Sequence, residues 1–466
     1  MKAFINRGIS VLFLITAFSG MLRAQDSLSH PYSLAQCIDY ALTHQTQIRS
    51  AEIDLQSTIA HNKEVTGQAL PQISAKGDLQ YLPQIPTQFI PDFISPSVYG
   101  VLIKEGVLPS DTKIPEAGMF PVAFGTKYSA DGTISVSQTL FDGSVLVALQ
   151  AKKTVEALSR KSVQQSKRDV REAVSKAYYN LLITQKQMDL TNTNIARVEK
   201  LLHDTKAMYD QGFAEKLDID RVQVQLNNLQ TSRIKLLNML ALSDQLLKFQ
   251  MGMPMKELLT PTDTLSTGDL TGILADSAGF DYDQRIEYSL LQTQKKANQY
   301  NLKRYRMAYL PTVSAFMNYG KNAGRSEFDF FKHDEPWFST WIVGLSVNVP
   351  IFDGMQRKYR VDQAKLAVEK NDIQLEGLQQ SIDLDIQQSK TSLRNDIENL
   401  SSQQDNMDLA ESVYESAKKK YEAGVGSNIE VINAESDLKQ AQTNYFSALY
   451  DAIIAKIEYQ KALGKL

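Results

Sequence analysis

Five histidines, one cysteine, two close-set acidic pairs and a Gly-Val-Gly turn are the residues of this chain whose types could do chemistry. Clustered His and carboxylate side chains ligate metals, a low-pKa thiolate attacks electrophiles, and a glycine-rich loop can cradle phosphate. The spacing supports none of these. His30, His44, His61, His203 and His333 are scattered without metal-ligand periodicity, mostly in polar helical or loop contexts. Asp218-Ile-Asp220 and Asp383-Leu-Asp385 fall in helical segments, where residues two apart point away from each other. Gly424-Val-Gly426 follows no strand, so it is not a phosphate loop. Cys37 stands alone, which excludes an intramolecular disulfide framework. Gln36 precedes it and no apolar signal lies just upstream, so it reads as a small helix residue rather than a lipid anchor. No catalytic residue, cofactor or metal is expected, and the chain does not read as an enzyme.

The question then becomes what so long a chain builds. Its 466 residues suit two or three ordinary domains or one elongated one. Residues 1–24 carry Lys2 and Arg7, a short apolar run and Ala24, which together read as a secretory signal peptide. Without it the chain has 47 basic and 53 acidic residues, a net charge of −6, and no electrostatic footprint for nucleic acid. No later segment approaches the 18 consecutive apolar residues of a membrane helix.

The sequence repeats itself. Phe141-Asp142-Gly143 recurs as Phe352-Asp353-Gly354, YDQG at 209–212 as YEAG at 421–424, and LPQISA at 70–75 as LPTVSA at 310–315. Gly252 and Gly464 each follow their tip glycine by 40 residues. Four such matches in one order define two tandem repeats, 25–252 and 282–466, joined by a Thr-, Gly- and Asp-rich linker at 253–281. Each repeat reads as helix, strand hairpin, long helix and helix. The hairpins fall at 71–141 and 311–352, the long helices at 144–211 and 355–423, and the last helices at 213–251 and 427–463.

The long helices follow from what is missing. Residues 144–211 contain no Gly or Pro, and residues 355–423 only Gly377. At 1.5 Å per residue such a helix runs about 100 Å, too long for one element of a compact globule. The shorter helices of each repeat add to nearly the same length, so two can stack end to end beside each long one. In the last helix Leu438, Ala441, Tyr445, Ala448, Ala452, Ala455 and Tyr459 follow 3-4 spacing, the signature of left-handed coiled-coil packing. Phe446, Leu449, Ile453 and Ile457 form a second apolar face, which suits a ring of helices.

The hairpins alternate instead. Ile73, Ala75, Leu79 and Tyr81 oppose Ser74, Lys76, Asp78 and Gln80, while Ile134, Val136 and Leu140 oppose Ser135, Ser137 and Thr139. Val313, Ala315, Met317 and Tyr319 oppose Thr312, Ser314 and Asn318, with Phe316 the exception. Trp341, Val343, Leu345, Val347, Val349 and Ile351 oppose Ser346 and Asn348. Strands of this length with one apolar and one polar side are what a membrane barrel needs. A soluble two-layer sheet would bury the same side, but the helices are committed to one another and leave nothing amphipathic to cover it. Each Phe-Asp-Gly then marks a change from strand to helix. Asp142 and Asp353 cap the new helix, Gly143 and Gly354 permit a sharp exit, and Phe141 and Phe352 sit near the interface. The loop at 83–127 holds seven of the 14 prolines and reads either as an extracellular flap over a barrel mouth or as an insertion without function.

With the tandem repeat, the Leu-Pro step before the odd strands and GFAEKLDIDRVQVQ and GVGSNIEVINAESD at the helix tips, the chain resembles the TolC-type outer-membrane efflux proteins. The resemblance covers nearly all of the chain after residue 24. It implies a mainly helical fold with membrane β-structure: a homotrimer in which a 12-helix barrel is continuous with a 12-stranded transmembrane β-barrel, four strands per chain. It further implies an outer-membrane location in a Gram-negative bacterium, with the helices forming a periplasmic tunnel. Function would be that of the exit duct of a tripartite efflux system, working with a periplasmic adaptor and an inner-membrane transporter and seated in outer-membrane lipid. Two other readings stay open: the exit duct of a type I protein secretion system, and a secreted coiled-coil scaffold. Adaptor docking falls, by this resemblance, to the tips around Gly212, Asp218, Ile219, Gly424, Ile429 and Val431. The tunnel constriction falls to Glu430 and Asn433, six and nine residues after Gly424, where the family carries two acids. The family's Arg two residues after that glycine is replaced by Gly426, so no salt-bridge latch to Asp218 is expected.

Overall fold

The computed structural model describes residues 30–265, 272 and 280–466, so the proposed signal peptide and the middle of the 253–281 linker lie outside the described residues. In chain order the elements are β1 (His30–Tyr32), α1 (Leu34–His44), α2 (Thr46–Gly67), β2 (Gln72–Tyr81), β3 (Thr87–Pro91), α3 (Ile94–Lys104), β4 (Met119–Ala123) and β5 (Tyr128–Phe141). There follow α4 (Gly143–Asp210), α5 (Lys216–Met251), β6 (Leu259–Pro261), α6 (Ile286–Met307), β7 (Thr312–Arg325), β8 (Phe338–Asn348), α7 (Gln356–Glu422) and α8 (Asn428–Ala462). Two compact units emerge, and each draws on both halves of the sequence. One comprises Ala51–Val163 and Ile286–Ser381; the other comprises the described part of Met1–Ser50 with Gln164–Arg285 and Ile382–Leu466.

The first unit holds an antiparallel four-stranded sheet in the order β2-β5-β7-β8. Its register aligns the apolar residues into rows. Ala75 pairs with Ile134, Ile134 with Tyr319 and Tyr319 with Trp341; Ile73, Val136, Met317 and Val343 form the next row. Because side chains alternate faces, these rows share one side, and Ser74, Ser135 and Asn318 share the other. Among the described residues nothing covers the apolar side: Ile73 and Val343 are each about three-quarters exposed. Phe316, the apolar residue on the polar side, lies against Gly344 of the neighbouring strand. A Cβ added there would stand 2.7 Å from the Phe316 ring.

One expectation is corrected here. β8 ends at Asn348, so Val349, Ile351 and Phe352 are not strand residues. Pro350 explains this, because it has no N–H with which to continue the ladder. The 83–127 loop contains regular structure of its own. β3 and β4 pair antiparallel, and Asp92 Oδ1 accepts from the N–H groups of Ile94 and Ser95 to start α3.

The second unit is a helix bundle. Leu438, Ala448, Ala452, Ala455 and Tyr459 of the 3-4 seam are buried, as are Leu449, Ile453 and Ile457 of the second face. Toward the tip turns, Val198, Leu201 and Leu202 of α4 pack with Val222, Leu226 and Leu229 of α5, Tyr414 and Tyr421 of α7, and Val431 and Leu438 of α8. The opening helix is interrupted at Gln45, whose Nε2 donates to the backbone oxygens of Phe249 and Gln250 at the end of α5. Beside it, β1 pairs parallel with β6 of the linker. Cys37 is fully buried in this cluster, and burial pushes its thiol up to about 12, an inert state for a thiol.

Candidate functional site

The tip turns are set by two glycines. Gly212 and Gly424 adopt φ of 79° and 75°, the left-handed conformation that ends a helix and that other residues adopt at a cost. The N–H groups of Phe213 and Val425 then close back onto the carbonyls of Met208 and Lys420. In the usual form of this motif the following apolar residue packs onto the helix. Here Phe213 is 85% exposed and Val425 80% exposed. Sequence reasoning missed both; an aromatic or branched residue directly after each tip glycine was the available signal.

The helices that leave the tips start differently. Ser427 caps α8, its Oγ accepting from the Glu430 N–H at 3.4 Å. Glu215 precedes α5, and Asp218 Oδ2 accepts the Glu215 N–H at 3.2 Å. Asn428 ties the two starts together by donating from Nδ2 to the Asp218 backbone oxygen at 3.2 Å. Asp218 and Ile219 are half-buried and Ile429 is exposed. Val431 is fully buried, which corrects its expected place on the docking surface. It lies one turn into α8, on the face turned to the helix cluster, and supports the turn from within.

Glu430 and Asn433 are both exposed, and one turn of helix puts them on the same side. They line one open groove with Asp437 of α8 and Ser412, Ser416 and Lys420 of α7. The groove mixes two acids, an amide, two hydroxyls and one cation with the apolar side chains of Val413, Ala417 and Ala434. Gly426 has no side chain to offer Asp218; Arg221, one turn along α5, stands 3.7 Å from the Asp218 carboxylate. Among the described residues, no group of three or more His, Cys, Asp or Glu is placed to hold a metal.

At the strand-to-helix junctions the two Asp residues act as helix starters by different geometry. Asp142 Oδ1 accepts from the N–H groups of Ser144 and Val145 at 2.7 and 3.2 Å. Asp353 Oδ2 accepts from the Arg357 N–H at 3.0 Å and its Nε at 2.8 Å, and the Arg357 side chain holds the Asp353 carboxyl below its ordinary range. The glycines differ too. Gly354 has φ of 66°, a sharp exit as expected, with Met355 also left-handed at 68°. Gly143 is needed for space: a Cβ there would meet the Cβ and backbone oxygen of Met307, each at 2.9 Å. Phe141 closes β5, whereas Phe352 is exposed and lies beyond β8.

Residues 110–252 and 290–465 match the family described as outer membrane efflux protein. The outer membrane protein TolC of Vibrio cholerae is 24% identical over 346 residues, covering 72% of this chain and 76% of that one. The probable efflux pump outer membrane protein TtgC of Pseudomonas putida is 21% identical over 292 residues, covering 63% of this chain and 60% of that relative's length. The crystal structure of the outer membrane protein VceC from Vibrio cholerae superposes with a TM-score of 0.69 at 14% identity, covering 92% of this chain and 96% of that one. Since the matched residues make up more than half of the sequence, the chain belongs to the outer membrane efflux protein family.

Proposed function

We propose that three copies of this chain form the exit duct of a tripartite efflux system in the outer membrane. The observation that carries this reading is the four-stranded sheet, whose apolar face is uncovered and whose edge strands β2 and β8 have no partner among the described residues. An open edge is intolerable in lipid, where each unpaired N–H and C=O costs several kcal/mol. Pairing β8 of one copy with β2 of the next removes both edges, and three copies give a closed barrel of twelve strands. Eight strands, from two copies, would leave only a filled interior, whereas twelve leave room for solute. The helix bundles of the three copies would likewise close into a twelve-helix tunnel in the periplasm.

In this reading lipid meets the face carrying Ile73, Val136, Met317 and Val343, and water fills the side carrying Ser74, Ser135 and Asn318. A periplasmic adaptor docks on the tips through Phe213, Val425 and Ile429 around Gly212 and Gly424, linking the duct to an inner-membrane transporter that supplies the energy. Glu430 and Asn433 line the constriction. The duct performs no bond chemistry; its part is to hold a polar path through lipid. Deletion of the gene with complementation tests this. Drug accumulation restored to normal by this chain, together with heat-modifiable trimers in outer-membrane fractions, is the expected result. Soluble periplasmic recovery without trimers would overturn it.

A further inference from the structure

Glu435 is 1% exposed, and neither of its carboxylate oxygens has a hydrogen-bond partner. It falls in the stripe Val431, Ala434 and Leu438, all buried, so helix geometry drives it into the seam among α4, α5, α7 and α8. An acid in an apolar stripe is the one sign of it in the sequence. A carboxylate buried without partners is costly, so the group must either stay neutral or recruit a cation.

The groups around it can do both. From α4 comes Arg197, whose Nη1 is likewise buried without a hydrogen-bond partner. Its Nη2 is 3.6 Å from Glu411 of α7, a long and half-exposed ion pair, and its guanidinium stands 5.5 Å from the centroid of the Tyr414 ring. Tyr414 itself is buried on α7. Burial, then the charge of Glu435, pushes its phenol up to about 12, with Glu415 and Glu422 acting in the same sense and Arg197 against. On its own helix the cation acting on Glu435 is Lys439. From α5 the aliphatic Val222, Leu226 and Leu229 pack into the same cluster, with Ile219 against it.

We propose that Glu435 is a proton-operated latch on α8: neutral, it packs in the seam; ionised, its buried and unpartnered charge is costly there and loosens α8 against α4 and α7. Burial pushes the carboxyl up to about 7, opposed by Arg197 and Lys439. Below the ordinary carboxyl value of 4.5 the group is protonated whether the seam is closed or open, and its charge costs nothing. Between 4.5 and about 7 the closed seam holds a proton that the open one releases, so closure weakens as pH rises. Above about 7 the whole penalty is expressed. The seam is therefore tightest in acid and loosest at neutral pH. This concerns packing within one chain and stands apart from the duct reading; if that reading holds as well, the tip end opens more readily at neutral pH.

Amide hydrogen exchange of the full-length protein in detergent tests the latch. After correction for intrinsic rates, exchange across residues 431–442 should rise roughly tenfold or more between pH 5 and 8. Glu435→Gln should keep acid-like protection at every pH, and Glu430→Gln should retain the wild-type rise. The same rise in Glu435→Gln, or its loss in Glu430→Gln, would overturn the proposal. Should Gln repack the seam, infrared titration of the wild type decides. A protonated-carboxyl band that disappears near pH 7 and is missing from Glu435→Leu supports the latch, and a wild type without that band at pH 5.5 refutes it.

Discussion

Asn428, the first residue of α8, donates its side-chain N–H to the backbone oxygen of Asp218 in the first turn of α5 at 3.2 Å. This bond joins the two helix starts, in addition to the apolar packing of Val222, Tyr421 and Val431. Asn428→Ala is expected to cost about 1 kcal/mol, the net worth of one such bond. A lower thermal midpoint with a raised single-channel conductance in planar bilayers would show it. Unchanged conductance would mean that the bond shapes the helix ends without restraining the opening.

The sheet register makes a sharper prediction about the membrane wall. Arg placed at Val136, Val343 or Val347 should cost roughly 2–4 kcal/mol near the bilayer midplane. Arg at Ser135 or Ser346, on the opposite face, should be tolerated. The yield of assembled trimer in outer-membrane fractions measures both, and equal losses at the two sets would refute the assigned faces.

At the tips, Gly424→Val meets no steric obstacle, because nothing lies within 4 Å of the added Cβ, but it strains a φ of 75°. That strain is about 1–2 kcal/mol, local to an exposed turn. Trimers should therefore persist while export fails. Phe213→Asp and Val425→Asp, which leave both glycines intact, should weaken adaptor binding in pull-down without lowering the thermal midpoint. If these two bind normally, docking uses another surface.

Glu430 sets a prediction about ions. In three copies its carboxylate would recur as a ring, favouring cations over anions. Glu430→Gln should lower cation preference and weaken block by multivalent cations, leaving trimer stability nearly unchanged. Reversal potentials in a salt gradient read this directly, and unaltered selectivity would place the constriction elsewhere.

The two junction glycines separate space from conformation. Gly143→Ala forces a methyl against the Met307 backbone and should cost about 1–3 kcal/mol. Gly354→Ala has open space and pays only for its left-handed φ, about 1 kcal/mol. Thermal midpoints of the two variants should fall in that order.

Those glycines also show where sequence reading succeeds and stops. Strand faces were legible because runs such as Val343, Leu345 and Val347 repeat a period of two that any register must respect. The long helices were legible from the absence of Gly and Pro. Tertiary pairings were not: Gln45 breaks a helix by bonding to Phe249 and Gln250, more than 200 residues away. Gly143 looked like a conformational residue because a neighbour as distant as Met307 leaves no mark beside it. At the tip, Val431 and Ile429 differ by two positions and have the same chemistry, yet only Ile429 reaches the surface. That distinction depends on where α4, α5 and α7 lie around α8. Phe316 broke the alternation for a reason visible only once Gly344 was placed beside it.

The edges of β2 and β8, unpaired among the described residues, carry a genetic consequence. If three chains close the barrel as proposed, the subunits come from a common pool, and a cell expressing two alleles builds mostly mixed assemblies. A variant that pairs its strands correctly but spoils the tips would enter those assemblies and poison them. A variant with a broken β2 or β8 edge would be left out and would behave as a simple loss. Dominance in a merodiploid strain thus sorts lesions by unit: dominant for Gly424→Val, recessive for a proline placed in the middle of β8.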